Sequence, residues 1–207
     1  MRYLLISLGL LFAACEEPVL FTEPQPAGTS PLDHFPKRWQ GEYLLPEDSS
    51  RLEIGPRMVR ALDEWDVRAT ISDLDSTVQL VGDTVLLLRE GERMPVIVRG
   101  DSVFGTLHVI DTLFALGEVQ VLKRMAGSLF MNRAHDARGW EVSRMTLSGG
   151  RLRIAEIRDP ESMAALNEVM ELPGDTLSAP LMVSRKQFRG VVKRGGFVLD
   201  KEYVRTR

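Results

Sequence analysis

Short stretches of alternating apolar and polar residues, separated by turn signals, run through most of this chain after about residue 50. A period of two places successive side chains on opposite faces of a strand, whereas a helix needs a period near 3.6. The stretches are rich in Val, Ile, Leu and Thr, which favour strands. Because short turns join them, we expect an antiparallel β fold. The predicted strands are Arg51–Ile54, Asp66–Ile71, Thr77–Val81, Thr84–Leu88, Val96–Arg99, Val103–Ile110, Leu113–Leu116, Leu129–Asn132, Trp140–Leu147 and Arg151–Ile157.

One turn pattern recurs along the chain. Gly82-Asp-Thr-Val85, Gly100-Asp-Ser-Val103 and Gly174-Asp-Thr-Leu177 share the order Gly, Asp, hydroxyl residue and apolar residue. Gly adopts backbone angles that other residues avoid, Asp hydrogen-bonds the turn, and the hydroxyl residue opens the next strand. The pattern therefore predicts tight turns between strands.

Two segments near the C-terminus have helical features. The first runs from an N-cap residue, Asp159, through a Pro in its first turn to a stop at Pro173-Gly174. The second starts at Ser184-Arg-Lys-Gln187, which has capping-box spacing, and ends at Gly195-Gly196. We therefore expect a mainly β chain of the α+β type with two short C-terminal helices.

A weak internal repeat suggests two similar, barrel-like lobes. Lys37-Arg-Trp-Gln-Gly41 aligns with Lys123-Arg-Met-Ala-Gly127, 86 residues later. Basic residues ahead of a Gly-containing strand also align by chance. If the repeat is accidental, the chain forms a single antiparallel sheet instead of two lobes. On the two-lobe interpretation, residues 37–118 form the first β-rich lobe, and residues 119–207 form a second that carries both helices.

The N-terminus has the order of a secretory signal: Arg2, an apolar run from Tyr3 to Phe12, and two alanines. The run is shorter than the roughly 20 apolar residues that cross a bilayer. Leu11-Phe-Ala-Ala-Cys15 resembles the bacterial lipobox, in which a peptidase cleaves before the Cys and the thiol receives a diacylglycerol. The resemblance implies that residues 1–14 are a lipoprotein signal peptide and that Cys15 is the lipidation site. A buried, inert Cys is the alternative.

The residues after Cys15 bear on where the folded body lies. Glu16 and Glu17 resemble the acidic signal that sends lipoproteins of Bacteroidetes to the outer face of the outer membrane. Residues 15–36 are Pro-rich, a composition that disfavours helix and sheet. We therefore expect an extended tether that holds the body roughly 25 Å or more from the lipid.

One motif suggests a hydrolase. Gly100-Asp-Ser102 resembles the opening block of the GDSL hydrolases, which implies Ser102 as a nucleophile. Such a Ser needs a His base held by a carboxylate. The family's Asp-x-x-His block is missing, and the three histidines, His34, His108 and His135, all precede the final third of the chain. Arg99-Gly-Asp-Ser102 also spells an integrin-binding tetrapeptide, but a close hairpin between two strands explains all of these residues.

Composition and side-chain patterns narrow the ligand classes. The chain has 26 Lys plus Arg, scattered along it, against 29 Asp plus Glu, so we expect no nucleic-acid partner. A single Cys excludes an internal disulfide and a Cys-rich zinc site. His135 is predicted at the surface and His108 packed within its strand. Two acidic clusters lack the order of a calcium loop and are interpreted as a solvated edge, so no metal site or cofactor is predicted. These clusters are Asp63, Glu64 and Asp66, and Asp73 and Asp75.

A second alternative is a carrier. Arg38-Trp-Gln-Gly41-Glu-Tyr43 resembles the Gly-x-Trp region that opens lipocalin barrels, although the aromatic residue after Gly41 is Tyr. The resemblance implies a cavity for a hydrophobic small molecule. Burial of Trp39 and Tyr43 in an ordinary core explains them equally well.

Six further segments carry a likeness that spans most of residues 15–207: Pro24-Gln-Pro26, Phe35-Pro-Lys37, Gly41-x-Tyr43, Asp111-Thr-Leu-Phe114, Gly139-Trp-Glu-Val142 and Lys186-Gln-Phe188. With them the chain resembles uncharacterised lipid-anchored, β-rich envelope lipoproteins of Bacteroidetes. The resemblance implies an outer-membrane location, at a face it leaves open, and no established activity. We therefore predict a lipid-anchored envelope protein with a non-catalytic binding or structural role. Its partners would be membrane lipid, through Cys15, and an envelope protein or hydrophobic ligand.

Overall fold

The computed structural model describes residues 18–88, 91–135, 138–158, 160–171 and 180–206. It confirms the predicted class: the chain is mainly antiparallel β, with one open sheet of twelve strands and two helices near the C-terminus. The strands are β1 Gly41–Leu44, β2 Arg51–Ile54, β3 Met58–Thr70, β4 Val78–Val81, β5 Thr84–Leu87, β6 Glu92–Arg99, β7 Ser102–Ala115, β8 Gln120–Met125, β9 Ser128–Ala134, β10 Trp140–Ser148, β11 Arg151–Glu156 and β12 Val198–Arg205. The helices are α1 Pro160–Met170 and α2 Arg185–Lys193.

The strand order is β4-β5-β6-β7-β3-β2-β1-β12-β11-β10-β9-β8. The two halves of the chain meet in the middle of the sheet, where Tyr43 of β1 is paired with Arg205 of β12. The long strands β3 and β7 pair from Met58 and Ala115 to Thr70 and Ser102. They connect the small β4–β6 unit to the rest of the sheet.

Two-residue turns close four of the hairpins. Gly82-Asp83 joins β4 to β5, and Gly100-Asp101 joins β6 to β7. Both glycines have positive φ, +62° and +65°, as a first central residue of a II′ turn requires. These two copies of the turn pattern are confirmed, and the third, at Gly174, lies outside the described residues. Ala126-Gly127 and Gly149-Gly150 make the other two turns.

The largest hydrophobic cluster draws on both halves of the chain. Trp39, Tyr43 and Phe114 pack with Leu122 and Met145, and all are almost fully buried. This cluster therefore spans the expected boundary between the lobes at residues 118 and 119. The aligned repeat segments also differ in structure, because residues 37–39 form a turn of 3-10 helix whereas residues 123–125 end strand β8.

The two helices lie over a second cluster, which includes Phe130 and Phe188. Ser184 and Gln187 form the predicted capping box at the start of α2, with Gln187 N donating to Ser184 Oγ and Ser184 N to Gln187 Oε1. The predicted ends of α1, at Asp159 and Pro173-Gly174, lie outside the described residues. Neither helix has the length and hydropathy to cross a membrane.

Residues 18–36, here called the N-terminal segment, contradict the expected extended tether. Val19 and Phe21 are buried, and Phe35 is fully enclosed. The segment forms isolated bridges to Trp140, Leu181 and Leu122. Its prolines disfavour helix and sheet, but they do not prevent its backbone from pairing with distant parts of the chain.

Candidate functional site

The N-terminal segment enters the fold between strand β10 and the stretch that leads into α2. Phe21 N donates to Trp140 O at 2.9 Å, and Trp140 N donates back to Phe21 O at 2.8 Å. On the other side, Leu181 N donates to Leu20 O at 2.8 Å, and Thr22 N donates to Leu181 O at 3.0 Å. The segment thus has backbone partners on both sides, as an interior strand has.

The side chain of Phe21 anchors this part of the segment. Its ring meets the edge of Phe188 of α2 at 6.0 Å between centroids. Phe188 in turn contacts Phe130 at 5.1 Å and Phe197 at 5.9 Å. Burying a Phe side chain contributes about 1.5–3 kcal/mol. Phe21 therefore ties the start of the described chain to α2 and the sheet below it.

A buried polar cluster, Gln25 with Lys123 and Asn132, holds the middle of the segment; we call it the clamp. Gln25 N donates to Asn132 Oδ1 at 2.6 Å, and Asn132 Nδ2 donates to Gln25 O at 2.9 Å. Asn132 Nδ2 also lies within bonding distance of the carbonyls of Val121 and Phe130, both at 3.1 Å. Buried polar groups are costly unless paired, so this set of bonds specifies one position for the segment.

Lys123 adds a buried cation to the clamp. Its Nζ donates to Pro24 O at 2.7 Å and to Pro26 O at 3.1 Å, and the side chain is almost fully buried. Burial lowers the pKa of this ammonium, and the charge of Glu23 partly offsets that shift. The carbonyls that receive the ammonium belong to the segment, so Lys123 holds the segment to strand β8.

The last part of the segment covers an edge of the sheet. Leu32 N donates to Leu122 O of the edge strand β8 at 2.7 Å, and Phe35 N donates to Pro56 O at 2.8 Å. The Phe35 ring meets Phe114 edge-on at 6.2 Å. Covering an edge strand shields backbone groups that could pair with another chain.

The position of the packed segment limits how far the body can lie from residue 15. Cys15 lies outside the described residues, and Pro18 is three residues further along the chain. Three steps of 3.8 Å between Cα atoms span at most about 11 Å. Pro18 lines a surface depression together with His135, Glu156 and Arg158. This part of the surface is therefore joined to Cys15 by a span of at most about 11 Å.

A second depression, of about 620 Å³, lies on the β3, β6 and β7 surface. The guanidinium groups of Arg68 and Arg99 lie over the Phe104 ring, at 5.3 and 6.0 Å from its centroid. Thr106 Oγ1 donates to Asp66 Oδ1 at 3.1 Å. The depression is open, so it would cover little of a ligand's surface, whereas a site for an apolar small molecule usually encloses most of the ligand.

Ser102 lies beside the Gly100-Asp101 turn, as the turn pattern predicts. Its Oγ donates to Asp101 Oδ1 at 3.2 Å; Asp101 is exposed and Ser102 is half-buried. The histidines contact other residues: His34 contacts Asp33, His108 contacts Glu64 at 3.3 Å, and His135 contacts Arg138. Among the described contacts, none joins Ser102 to one of these histidines.

His108 corrects one expectation. It was expected to pack within its strand, but its side chain is largely exposed and faces Glu64. The alternation of β7 places it on the same face as Thr106, opposite the face that carries Val103. Its apolar neighbours in sequence lie on the other face, so they do not enclose it.

Three of the acidic residues, Glu64, Asp66 and Asp75, contact neighbouring side chains or backbone groups. Glu64 pairs with Arg51, and Asp75 accepts hydrogen bonds from Thr77 N at 2.7 Å and Thr77 Oγ1 at 2.5 Å. Asp73 lies in a turn of 3-10 helix at residues 71–73. In the part of the chain that the structure describes, no group of three His, Cys, Asp or Glu side chains could hold a metal ion.

The two aromatic residues of the segment that resembles the lipocalin opening, Trp39 and Tyr43, lie in the core. Tyr43 Oη donates to Trp39 O at 2.7 Å, and Arg205 Nη2 donates to Tyr43 Oη at 2.8 Å. The Arg205 guanidinium also lies over the Tyr43 ring, at 5.2 Å from its centroid. Burial raises the pKa of Tyr43, and Arg205 offsets part of the shift. These side chains fill the interior and join β1 to β12.

Sequence reasoning missed the clamp, although a signal for it is present. Lys123 follows Val121 and Leu122, and Asn132 follows the apolar run Leu129–Met131. A polar residue adjoining an apolar run is compatible with a buried polar partner, but the sequence does not say where that partner lies. Comparisons with protein families, curated proteins and solved structures found no match to the chain.

Proposed function

We propose that the protein is a lipoprotein of the outer membrane, anchored through Cys15, whose β-rich body has a non-catalytic binding or structural role. The observation that carries the proposal is the packing of the N-terminal segment directly after a lipobox-like Cys. Among the described residues, which start at Pro18, the first buried one is Val19, so cleavage before Cys15 removes none of the described contacts. The mature chain would begin with its lipid and enter the fold within four residues.

The membrane attachment would be strong. A single acyl chain holds a protein to a bilayer only marginally, whereas two or three chains hold it stably, at roughly 0.8 kcal/mol per buried methylene. A diacylglycerol on the thiol and an acyl group on the new amino terminus would supply three. The resemblance to lipoproteins of Bacteroidetes supports the outer membrane as the location.

The side-chain arrangement favours a non-catalytic role. Ser102 has an exposed Asp101 as its partner, and none of the described contacts joins it to a His. The core positions of Trp39 and Tyr43 favour a filled interior over a carrier cavity. A packed module attached to a membrane suits contact with another envelope component.

Detergent-phase partitioning and intact-mass measurement together test the anchor. We expect the wild-type chain, expressed with residues 1–14 in a bacterium that processes lipoproteins, to enter the detergent phase and to carry acyl mass on a chain that starts at Cys15. The Cys15→Ala variant should lose the acyl mass and keep residues 1–14, whereas the Ser30→Ala control should match the wild type. A wild-type chain with a free Cys15 thiol would contradict the proposal.

A further inference from the structure

The outer surface of α2 is strongly basic. The helix contains no acidic residue, and its basic side chains, together with that of its C-cap residue, are exposed. These residues are Arg185, Lys186, Arg189, Lys193 and Arg194. Within the described part of the chain, Arg194 pairs with Glu168 at 3.1 Å, and the other four form no ion pair.

This concentration of charge is unfavourable for the helix alone. Arg185, Arg189 and Lys193 are spaced four residues apart, so they form one stripe of like charge, and such pairs destabilise a helix. After removal of residues 1–14, the chain would carry 25 basic against 29 acidic side chains, so the basic surface is a local feature of an acidic protein. An anionic partner would offset the repulsion along the stripe.

The basic surface lies close to the place where the anchor joins the body. The buried face of α2 contacts the N-terminal segment directly, through Phe188 and Phe21. Phe21 is six residues after Cys15, which is at most about 23 Å along the chain. A helix is about 10 Å wide, so its outer surface is within reach of the bilayer that holds the lipid.

An exposed apolar residue adjoins the basic surface. Met182 is 78% exposed, and it lies two residues before the N-cap Ser184. Its neighbours Leu181 and Val183 are buried, so the backbone at this position is fixed. Basic side chains beside a projecting apolar one are the combination that binds the interface of an anionic bilayer.

We propose that the basic surface of α2, with Met182, docks on the anionic headgroups of the membrane that holds the anchor. The inference rests on the proposed function, because lipidation at Cys15 brings the surface to the bilayer. The segment and the clamp position α2 relative to the anchor, and the basic side chains select the orientation in which the helix faces the lipid.

Quenching of a fluorophore by lipid tests the docking in the lipidated full-length protein. Met182→Cys supplies a labelling site, because the thiol of Cys15 is acylated, and Val81→Cys places the same fluorophore on the distant strand β4. The protein is reconstituted into vesicles of phosphatidylcholine alone or with phosphatidylglycerol, each containing a spin-labelled lipid. We expect strong quenching at position 182 only with phosphatidylglycerol, weakened by high salt, and little quenching at position 81.

Reversing the charge of two residues tests whether the basic side chains of α2 are responsible for docking. Arg189→Glu with Lys193→Glu should lower the ratio of docked to undocked protein by roughly tenfold or more, since each basic residue near an anionic surface contributes about a factor of five. The control Arg93→Glu with Arg99→Glu makes the same change in net charge on strand β6, and it should leave the quenching unchanged.

Flotation of the same samples separates the two proposals. Protein that does not float with vesicles contradicts the lipid anchor. Protein that floats but shows equal quenching with and without phosphatidylglycerol, or equal quenching in the α2 reversal and the wild type, overturns the docking inference alone. If free inorganic phosphate lowers the quenching at position 182 while the charge of the lipid has no effect on it, the basic surface binds a soluble phosphate ligand. That result would also overturn the docking inference.

Discussion

The side-chain amide of Asn132 pairs with both backbone polar groups of Gln25, accepting from its N–H at 2.6 Å and donating to its C=O at 2.9 Å. The amide of a residue in β9 thus gives the N-terminal segment the two hydrogen bonds that a neighbouring strand would give it. Both residues are fully buried. The segment is therefore specified as part of the fold.

Removing the Asn132 amide should destabilise the protein. Asn132→Ala leaves the N–H and C=O of Gln25 buried without these partners, and each such loss costs about 1–3 kcal/mol. We expect a fall in the free energy of unfolding of about 2–4 kcal/mol, measured by urea denaturation. Gln79→Ala, which truncates an exposed amide on β4, should change it by less than about 0.5 kcal/mol. Equal effects of the two substitutions would show that the clamp adds little to stability.

A methyl group at Gly139 should displace the N-terminal segment. Gly139 has a φ of +138°, and a Cβ there would lie 2.7 Å from Phe21 O and 3.2 Å from Pro180 Cβ. Gly139→Ala should therefore lower the free energy of unfolding by about 2–4 kcal/mol, because it strains the backbone and disrupts the hydrogen bonds between Phe21 and Trp140. Proteolysis should then cut within residues 18–36 faster than in the wild type.

The matched substitution is Gly117→Ala, whose added Cβ would meet only Ala115 O, at 3.9 Å. This variant should keep the wild-type cleavage rate. Protection of residues 18–36 in Gly139→Ala equal to that in the wild type would count against the close packing of Phe21 on this glycine.

Ser102 should be irrelevant to any ester hydrolysis. Its hydroxyl is bonded to Asp101 within a hairpin, without a positioned base, so it lacks the activation that a nucleophile needs. We expect Ser102→Ala and the exposed-hydroxyl control Ser76→Ala to give the same turnover of a chromogenic ester as the wild type. Turnover by the wild type that is lost in Ser102→Ala and retained in Ser76→Ala would restore the hydrolase hypothesis.

Alkaline pH should destabilise the fold through Tyr203. Burial, with smaller contributions from Asp200, Asp48 and Asp63, raises the pKa of Tyr203 to about 12 from its ordinary 10.0. The folded state thus retains this proton more tightly than the unfolded state. The contribution of the protonated Tyr203 to the free energy of unfolding is complete below pH 10 and is lost as the pH rises through about 12.

Tyr203→Phe should remove that part of the alkaline loss. Urea denaturation near pH 8 and near pH 11, values that lie on either side of the unfolded pKa, should show a smaller fall in the variant than in the wild type. The pKa of Tyr43 is also raised, so part of the fall in the free energy of unfolding at alkaline pH should remain in Tyr203→Phe. An equal fall in both proteins would exclude Tyr203 as a source of the pH dependence.

Local signals predicted much of the fold. The Gly82-Asp83 and Gly100-Asp101 turns and the capping box at Ser184 depend on residues a few positions apart, so their structure follows from local sequence. The strand boundaries were less accurate, because Val103–Ile110 and the first three residues of Leu113–Leu116 belong to one continuous strand, β7. Its register with β3 shifts once between Val59 and Arg60, a bulge that the alternation does not reveal.

The candidate site could not be predicted because its contacts join distant residues. Gln25 and Asn132 are 107 positions apart, and Thr22 and Leu181 are 159 positions apart. The prolines of the N-terminal segment disfavour helix and sheet, which the sequence shows correctly. They do not determine whether the segment extends into solvent or packs against the sheet.

The gap between the bilayer and the body tests the central claim most directly, namely that the packed N-terminal segment holds the body at the membrane. Neutron reflectometry of the lipidated protein on a supported bilayer measures the thickness of that hydrated layer. The structure predicts a layer no thicker than about 11 Å, the greatest span from Cys15 to Pro18. A layer of roughly 25 Å or more, the span expected of a free tether of about twenty residues, would contradict it.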